Sequence, residues 1–248
     1  NIELIIIDDG SKDGSVEKIK ELIPACEKRF VRFEFRSRPN EGLCATLNEA
    51  IEWCEGEYYS AIASDDIMML YKTKVQVEHL NKNKSCVAVF GGVHVIDNYG
   101  VVRRKRPSKR ARVLFKDIFL VRKSLHAPTQ MIRLESVIAT GGYKDGLYIE
   151  DRYMWLQLLS SVGHIDIIEG VLALYRRHET NISSQLDKMN FARKEIIDMY
   201  CDHPLYSRGL AALKLVEAMQ EQSLNNSERV KLVFEAVKVS KWVLVERR

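Results

Sequence analysis

No apolar run in these 248 residues approaches the ~20 needed to span a bilayer, and no signal-peptide pattern precedes the first strand. The five cysteines, Cys26, Cys44, Cys54, Cys86 and Cys201, are odd in number and lack any C-x-x-C spacing. Neither a disulfide framework nor a zinc site is therefore expected, and a reducing cytosol is the natural compartment. No internal repeat with a full signature is visible. What is present, 46% hydrophobic and 29% charged residues, suffices for one substantial core. The net charge of +4 is unevenly placed, because the ten residues Arg103 to Arg112 hold seven cations. Such a block favours phosphate-rich or anionic partners. It carries no interleaved aromatics and no binding module surrounds it, so nucleic acid is not the expected partner.

Along the chain, strand-like runs alternate with helical spacing, which predicts βαβ units and an α/β fold. Leu4-Ile5-Ile6-Ile7 reads as a buried strand ending in Asp8-Asp9-Gly10-Ser11. A helix from Ser15 to about Cys26, a strand over 31–35 and a helix from Leu43 to Cys54 follow, the last after the turn Pro39-Asn40-Glu41-Gly42. The apolar run Tyr58 to Ala63 reads as a strand that delivers Ser64-Asp65-Asp66 to the carboxyl edge of the sheet, where open α/β sheets bind ligands. Then come a helix over 69–81, strands over 86–90 and 93–97, the basic block as a loop, and a helix over 134–140 closed by Gly141-Gly142. A helix opens at Glu150-Asp151, and strands over 165–168 and 171–175 end in Arg176-Arg177-His178. The remainder is helical, over 187–202, 205–221 and 227–246, which places a boundary near 183 between an α/β domain, 1–183, and a helical region, 184–248. The last helix sets Phe234, Val237, Trp242 and Val245 against Lys231, Lys238, Lys241, Arg247 and Arg248. That pattern suits packing first and peripheral contact with an anionic membrane second.

Two features carry chemistry. Adjacent carboxylates repel, so a fold that keeps Asp65 beside Asp66 has a cation between them or a proton to share, and oxygen ligands suit Mg²⁺ or Mn²⁺ carrying a phosphate. A plain helix cap is the alternative for this pair, as it is for Glu150-Asp151. The order decides: Asp8-Asp9-Gly10-Ser11 after a strand, Asn40-x-Gly42 with Asn48 on the next helix, Ser64-Asp65-Asp66, Gly141-Gly142-Tyr143, Glu150-Asp151, then Arg176-Arg177-His178. In that order the sequence resembles glycosyltransferase family 2, the inverting enzymes of the GT-A fold, from residue 1 to about 183. The resemblance implies a Rossmann-like, mostly parallel sheet flanked by helices, with a helical appendage after it. It also implies a nucleotide-diphosphate sugar as donor, a UDP-sugar first among them, and a saccharide or lipid-linked saccharide as acceptor. Mg²⁺ or Mn²⁺ would be the cofactor, in a cytoplasmic enzyme at the inner face of the cell membrane that builds cell-surface polysaccharide or glycolipid.

By the same resemblance Asp66 is the metal ligand, Asp65 contacts ribose or a metal-bound water, and His178 is a further ligand. Asp9 meets the nucleotide base with Asp8, Gly10 and Ser11 behind it. Asn40, Gly42, Asn48, Arg176 and Arg177 serve the donor. Asp151 is the general base and Glu150 orients it or the acceptor. The pattern departs from the family in lacking the usual first strand and helix, so the chain reads as a fragment of a longer product with part of the base pocket open. Leu47 also stands where many relatives carry a cation before the asparagine. A nucleotidyltransferase on a related sheet is the alternative, disfavoured because no Gly-rich, Lys- or Arg-containing phosphate loop is present, and a non-catalytic fragment is the third reading. The sugar, the acceptor and the oligomeric state are not legible.

Overall fold

The computed structural model describes residues 1–160, 163–178, 185–220 and 226–239. β1 (Glu3–Asp8) and β2 (Arg32–Ser37), joined by α1 (Ser15–Arg29), pair in parallel from Glu3↔Arg32 to Asp8↔Ser37. The aliphatic residues of β1 are only half-buried, since this two-stranded sheet stands apart from the larger one. The link is α2 (Leu43–Trp53) and the turn after it. Glu3 accepts hydrogen bonds from the amides of Glu55 (2.8 Å) and Gly56 (2.6 Å), and Arg32 donates to the Trp53 carbonyl (2.8 Å) while its guanidinium lies 3.9 Å over the Trp53 ring.

The second sheet has seven strands: β3 (Tyr58–Tyr59), β4 (Ile67–Met68), β5 (Cys86–Ile96), β6 (Val102–Arg106), β7 (Ala111–Val113), β8 (Met131–Arg133) and β9 (His164–Arg176). Its order is β3-β8-β5-β9-β4, with β6 added to β5 and β7 to β9. The α/β class is as expected. The pairing differs from a mostly parallel sheet: β1–β2 and β5–β9 are parallel, and the other five ladders are antiparallel because short edge strands fold back on β5 and β9. α3 (Lys72–Lys82), α4 (Phe115–Phe119), α5 (Leu134–Ala139) and α6 (Glu150–Ser160) flank it. The core is built from the all-buried face of β5 with Ile132, Val137, Met154, Leu156, Leu158 and Ile165.

Three local readings change. The run 58–63 is a strand only at Tyr58–Tyr59, so the acids sit in a turn rather than at a strand end. The two strands expected over 86–97 are one continuous β5, and the two over 165–175 are one β9, because the register shift between Phe90 and Gly92 is taken up by extra residues of β9 between Ile167 and Val171 without ending the ladder. The basic block is not a loop but the edge strands β6 and β7, where charge masks the strand pattern and keeps the edge from pairing further.

α7 (Leu186–Asp198), α8 (Tyr206–Gln220) and α9 (Asn226–Val239) complete the described chain. Residues of α7, α8 and α9 join the same hydrophobic core as α6. Tyr200 and His203 pack on Phe115 and Phe119 with ring centroids 4.7 to 5.7 Å apart. The expected boundary near 183, together with Lys241, Trp242, Val245, Arg247 and Arg248, lies outside the described residues. Among the described residues no helix is long and apolar enough to cross a membrane.

Candidate active site

The Asp8-Asp9-Gly10-Ser11 turn closes β1 against the end of β2. Asp8 is buried and accepts from the Ser37 hydroxyl (3.1 Å) and the Ser11 amide (3.4 Å). The Ser11 hydroxyl, then Ser37, hold its carboxyl below the usual range against the opposing effect of burial. Asp9 pairs with Arg38 and accepts from the amides of Glu41 (2.9 Å) and Gly42 (3.0 Å), and its own carbonyl accepts from the Asn40 side chain (2.9 Å). Burial raises the Asp9 carboxyl, but those two amides and Arg38 outweigh it and leave it lowered. Gly10 has φ +88°, and a Cβ there would lie 2.8 Å from the Asn40 amide nitrogen, so only glycine lets the two turns meet. Asp8, Asp9, Gly10, Ser11, Asn40 and Gly42 are thus one constellation, with the Asp9 carboxylate already ligated by protein.

α2 carries this constellation to the second. Its Asn48 accepts from the Tyr143 amide (2.7 Å) and donates to the Tyr143 carbonyl (2.8 Å), and the Cys44 thiol donates to the Lys144 carbonyl (3.3 Å). A Cβ on Gly142, where φ is +84°, would fall 2.5 Å from Asn48 Oδ1. The Gly141-Gly142-Tyr143 turn is therefore clamped by Asn48, and it leads to Glu150 and Asp151 in the first turn of α6. Asn48→Ala would leave the Tyr143 backbone groups without partners. We expect a loss of about 1–3 kcal/mol in urea unfolding, and an unchanged midpoint would show the clamp to be dispensable.

Both α6 acids are half-buried. Burial first, then the charge of Asp151, pushes the Glu150 carboxyl up to about 7. Burial raises Asp151 as well, against the Arg152 amide that donates to its Oδ1 (2.6 Å) and the Arg152 guanidinium. Arg152 is itself buried, bonded to the Ile118 carbonyl, and burial brings it down to about 10. A raised carboxylate beside a buried cation at a helix N-terminus is suited to accept a proton.

The third constellation forms where β5 and β9 end. Asp66 Oδ1 accepts from the Arg176 amide (2.8 Å), and His178 Nε2 lies 3.2 Å from Asp65 Oδ2. The Arg176 side chain donates to the carbonyls of Asp65 (2.8 Å), Asp97 (2.7 Å) and Asn98 (3.2 Å), which straps the acid turn to the β5–β6 hairpin. The Arg177 amide donates to the Ile96 carbonyl (2.9 Å). Burial, assisted by the Asp65 charge, pushes the Asp66 carboxyl up to about 6. A half-buried carboxylate pair with an imidazole alongside is a donor set that a hard divalent cation fits. Asp66, Asp65 and His178 would hold it.

Several participants were not foreseen. Arg106, at the end of β6, lies near enough to Arg104 and Arg177 that their charges, after burial, lower it. It was hidden inside a block read as a loop. Asp97 accepts from the amides of Tyr99 and Val101 (2.9 Å each) and pairs with Arg103 (2.6 Å), a turn that Asp-Asn-Tyr-Gly does signal. Lys72 is wholly buried, donating to Ser60 Oγ (2.7 Å) and the Gln130 carbonyl (3.0 Å), and burial takes its ammonium down to about 7. No sequence signal separates it from a surface lysine. Tyr59, next to Ser60, shares the core with Tyr143, so the segment leading to the acid pair starts against the turn that leads to Asp151.

The family model for Glycosyl transferase family 2 matches residues 1–138, more than half of the chain, and the chain belongs to that family. The match contains Asp8 to Asp66 and ends before Glu150. An uncharacterised glycosyltransferase of Rickettsia felis is 28% identical over 197 residues, 77% of this chain and 32% of the relative, so the chain spans about a third of that relative's length. The UDP-Glc:alpha-D-GlcNAc-diphosphoundecaprenol beta-1,3-glucosyltransferase WfgD of Escherichia coli is 23% identical over 207 residues, 83% of this chain and 77% of the enzyme. Among solved structures, the mannosyltransferase PcManGT of Pyrobaculum calidifontis, in complex with GDP-Man and Mn²⁺, superposes with a TM-score of 0.60 at 12% identity, over 99% of this chain and 79% of that one. It shares the fold.

Proposed function

We propose that the chain is the donor-binding and catalytic part of a metal-dependent, inverting glycosyltransferase that moves a sugar from a nucleotide diphosphate to a hydroxyl. The observation that carries this reading is the pairing of two separately held acid sites. Asp65 and Asp66 face His178 at one sheet edge, and the raised pair Glu150–Asp151 opens α6. Breaking the sugar–diphosphate bond requires charge neutralisation on the leaving group and removal of a proton from the acceptor. A divalent cation at Asp66 would act as Lewis acid on the diphosphate. Arg106, Arg104 and Arg177 lie close enough that their charges lower Arg106, a cationic cluster suited to phosphate oxygens. Asp151 takes the acceptor proton, and Glu150 keeps its charge in check through their shared titration. A single displacement gives inversion at the anomeric carbon. Asp8, Asp9 and Asn40 frame the base side of the donor.

For the acceptor, Ile67, Met68, Leu70 and Tyr71 expose apolar side chains directly after the acid pair, at the edge where β4 pairs with β9. An apolar edge directly after the acid pair suits a lipid-linked diphosphate saccharide, as in the reaction named for WfgD, and supports work at a membrane surface. UDP-sugars are the first donors to try. Incubating the protein with Mn²⁺ and a panel of nucleotide sugars should release nucleoside diphosphate from one of them. Release of pyrophosphate instead would overturn the reading in favour of nucleotidyl transfer.

A further inference from the structure

The end of the large sheet opposite the acid turn carries a second set of metal-binding side chains. Cys86 opens β5 and His164 opens β9, and the two are partners across the parallel ladder. Asp166 follows two residues along β9, and the last turn of α3 brings His79 against it. His79 Nε2 lies 2.9 Å from Asp166 Oδ2, and the ligand atoms of His79, Cys86 and Asp166 all fall within 4.8 Å of one another. β5 is eleven residues long, which at ~3.3 Å per residue sets this cluster about 30 Å from the Asp66 end of the sheet.

We propose that His79, Cys86 and Asp166 form a structural site for a borderline-soft divalent transition metal of the Zn²⁺ class, with His164 orienting the carboxylate. One thiol, one imidazole and one carboxylate select zinc-like ions over Mg²⁺ or Ca²⁺. A tetrahedral ion holds its donors about 3.3–3.8 Å apart, so the short His79–Asp166 contact widens and the thiol closes in, both within side-chain adjustment.

The second observation is His164. Its ring is buried and its Nε2 has no hydrogen-bond partner, yet it lies 3.4 Å from Asp166 Oδ1, the oxygen that Arg112 Nε also faces at 3.6 Å. His164 and Arg112 thereby claim Oδ1 and leave Oδ2, on the His79 side, for the ion. The His79 side chain is 25% exposed and provides the way in. Binding displaces the thiol proton of Cys86 to solvent, and His79 meets the ion through Nε2 as the neutral imidazole with its proton on Nδ1. The result staples α3 to the starts of β5 and β9. Spacing along the chain does not reveal it, because the three ligands come from three elements.

The competing state is a His–Asp hydrogen bond beside a buried thiol. To separate them, the full chain is stripped with chelator and titrated with Co²⁺, then Zn²⁺, while visible absorption and thermal unfolding are followed. One equivalent of Co²⁺ should give thiolate-to-cobalt absorption that Zn²⁺ displaces, and Zn²⁺ should raise Tm. His164→Ala should weaken binding roughly 10- to 100-fold. Cys86→Ser should abolish the absorption. His79→Ala, at a partly exposed position, should abolish the Zn²⁺-dependent rise in Tm and serves where Cys86→Ser does not fold. Asp66→Ala should bind at this site unchanged. Absence of thiolate-to-cobalt absorption in the parent chain, or a Zn²⁺ effect on Tm that survives His79→Ala, overturns the proposal and leaves the hydrogen bond only.

Discussion

Asp151→Asn should lower kcat by roughly 10²- to 10⁴-fold while donor affinity stays within about a factor of two, the pattern of a lost proton acceptor rather than a lost binding contact. Asparagine keeps the shape and can still accept the Arg152 amide through its oxygen, so the helix start should survive. The pH profile supplies a second reading. Glu150 and Asp151 are both raised by burial, and Glu150 titrates at about 7. Transfer needs the ionised base, and burial raises the Asp151 carboxyl, so the rate should climb with pH from above the ordinary carboxylate range and then level. Stability moves in the opposite sense. A carboxyl whose folded value exceeds its ordinary 4.5 contributes stability that is fully present below about 4.5 and lost as pH rises through about 7. The metal-free protein should therefore unfold at progressively lower urea across that window. A flat rate profile from 5 to 8, or full activity in Asp151→Asn, would remove Asp151 from the role of base.

The second large effect is expected at Asp66. Replacing it by alanine should cut nucleoside diphosphate release by about 10²- to 10³-fold, the scale of losing one electrostatic contact to the developing charge. The folded state should not suffer, because burying an ionised carboxylate beside Asp65 is unfavourable without a cation. Raised thermal stability without metal, combined with lost activity, is the signature of a site whose strain serves function. Steady-state assays across Mn²⁺ concentrations, with thermal melts in chelator, test both halves. Asp66→Ala with normal turnover would mean that the acid pair takes no part in the transfer.

How much of this was visible in the chain can be traced to particular residues. The strand–turn pattern of Leu4 to Ser11 and the helix opening at Glu150 are local signals that lie in the elements expected for them, whereas the acid pair sits in a turn well past the short β3. The sheet was less legible. β5 and β9 were each split in two because Gly91-Gly92 and Glu169-Gly170 look like chain breaks, and only their long parallel pairing holds them together as single strands. β6 and β7 were hidden because lysine and arginine mark a solvated edge as readily as a loop.

Long-range partners were the least visible. Asn48 was read as a donor contact, yet both ends of its amide bind the Tyr143 backbone 95 residues away. The family resemblance assigns Arg176 to the donor, yet three backbone carbonyls take hydrogens from its guanidinium. The burial of Lys72, and the meeting of His79, Cys86 and Asp166, follow from topology that no window of sequence contains.

The most direct test of the central claim is calorimetric titration of the whole chain with UDP and GDP, with and without Mn²⁺, repeated on Asp66→Ala. Nucleotide binding should require Mn²⁺ and be lost in the variant. Binding that is equally tight in chelator and indifferent to Asp66→Ala would contradict it.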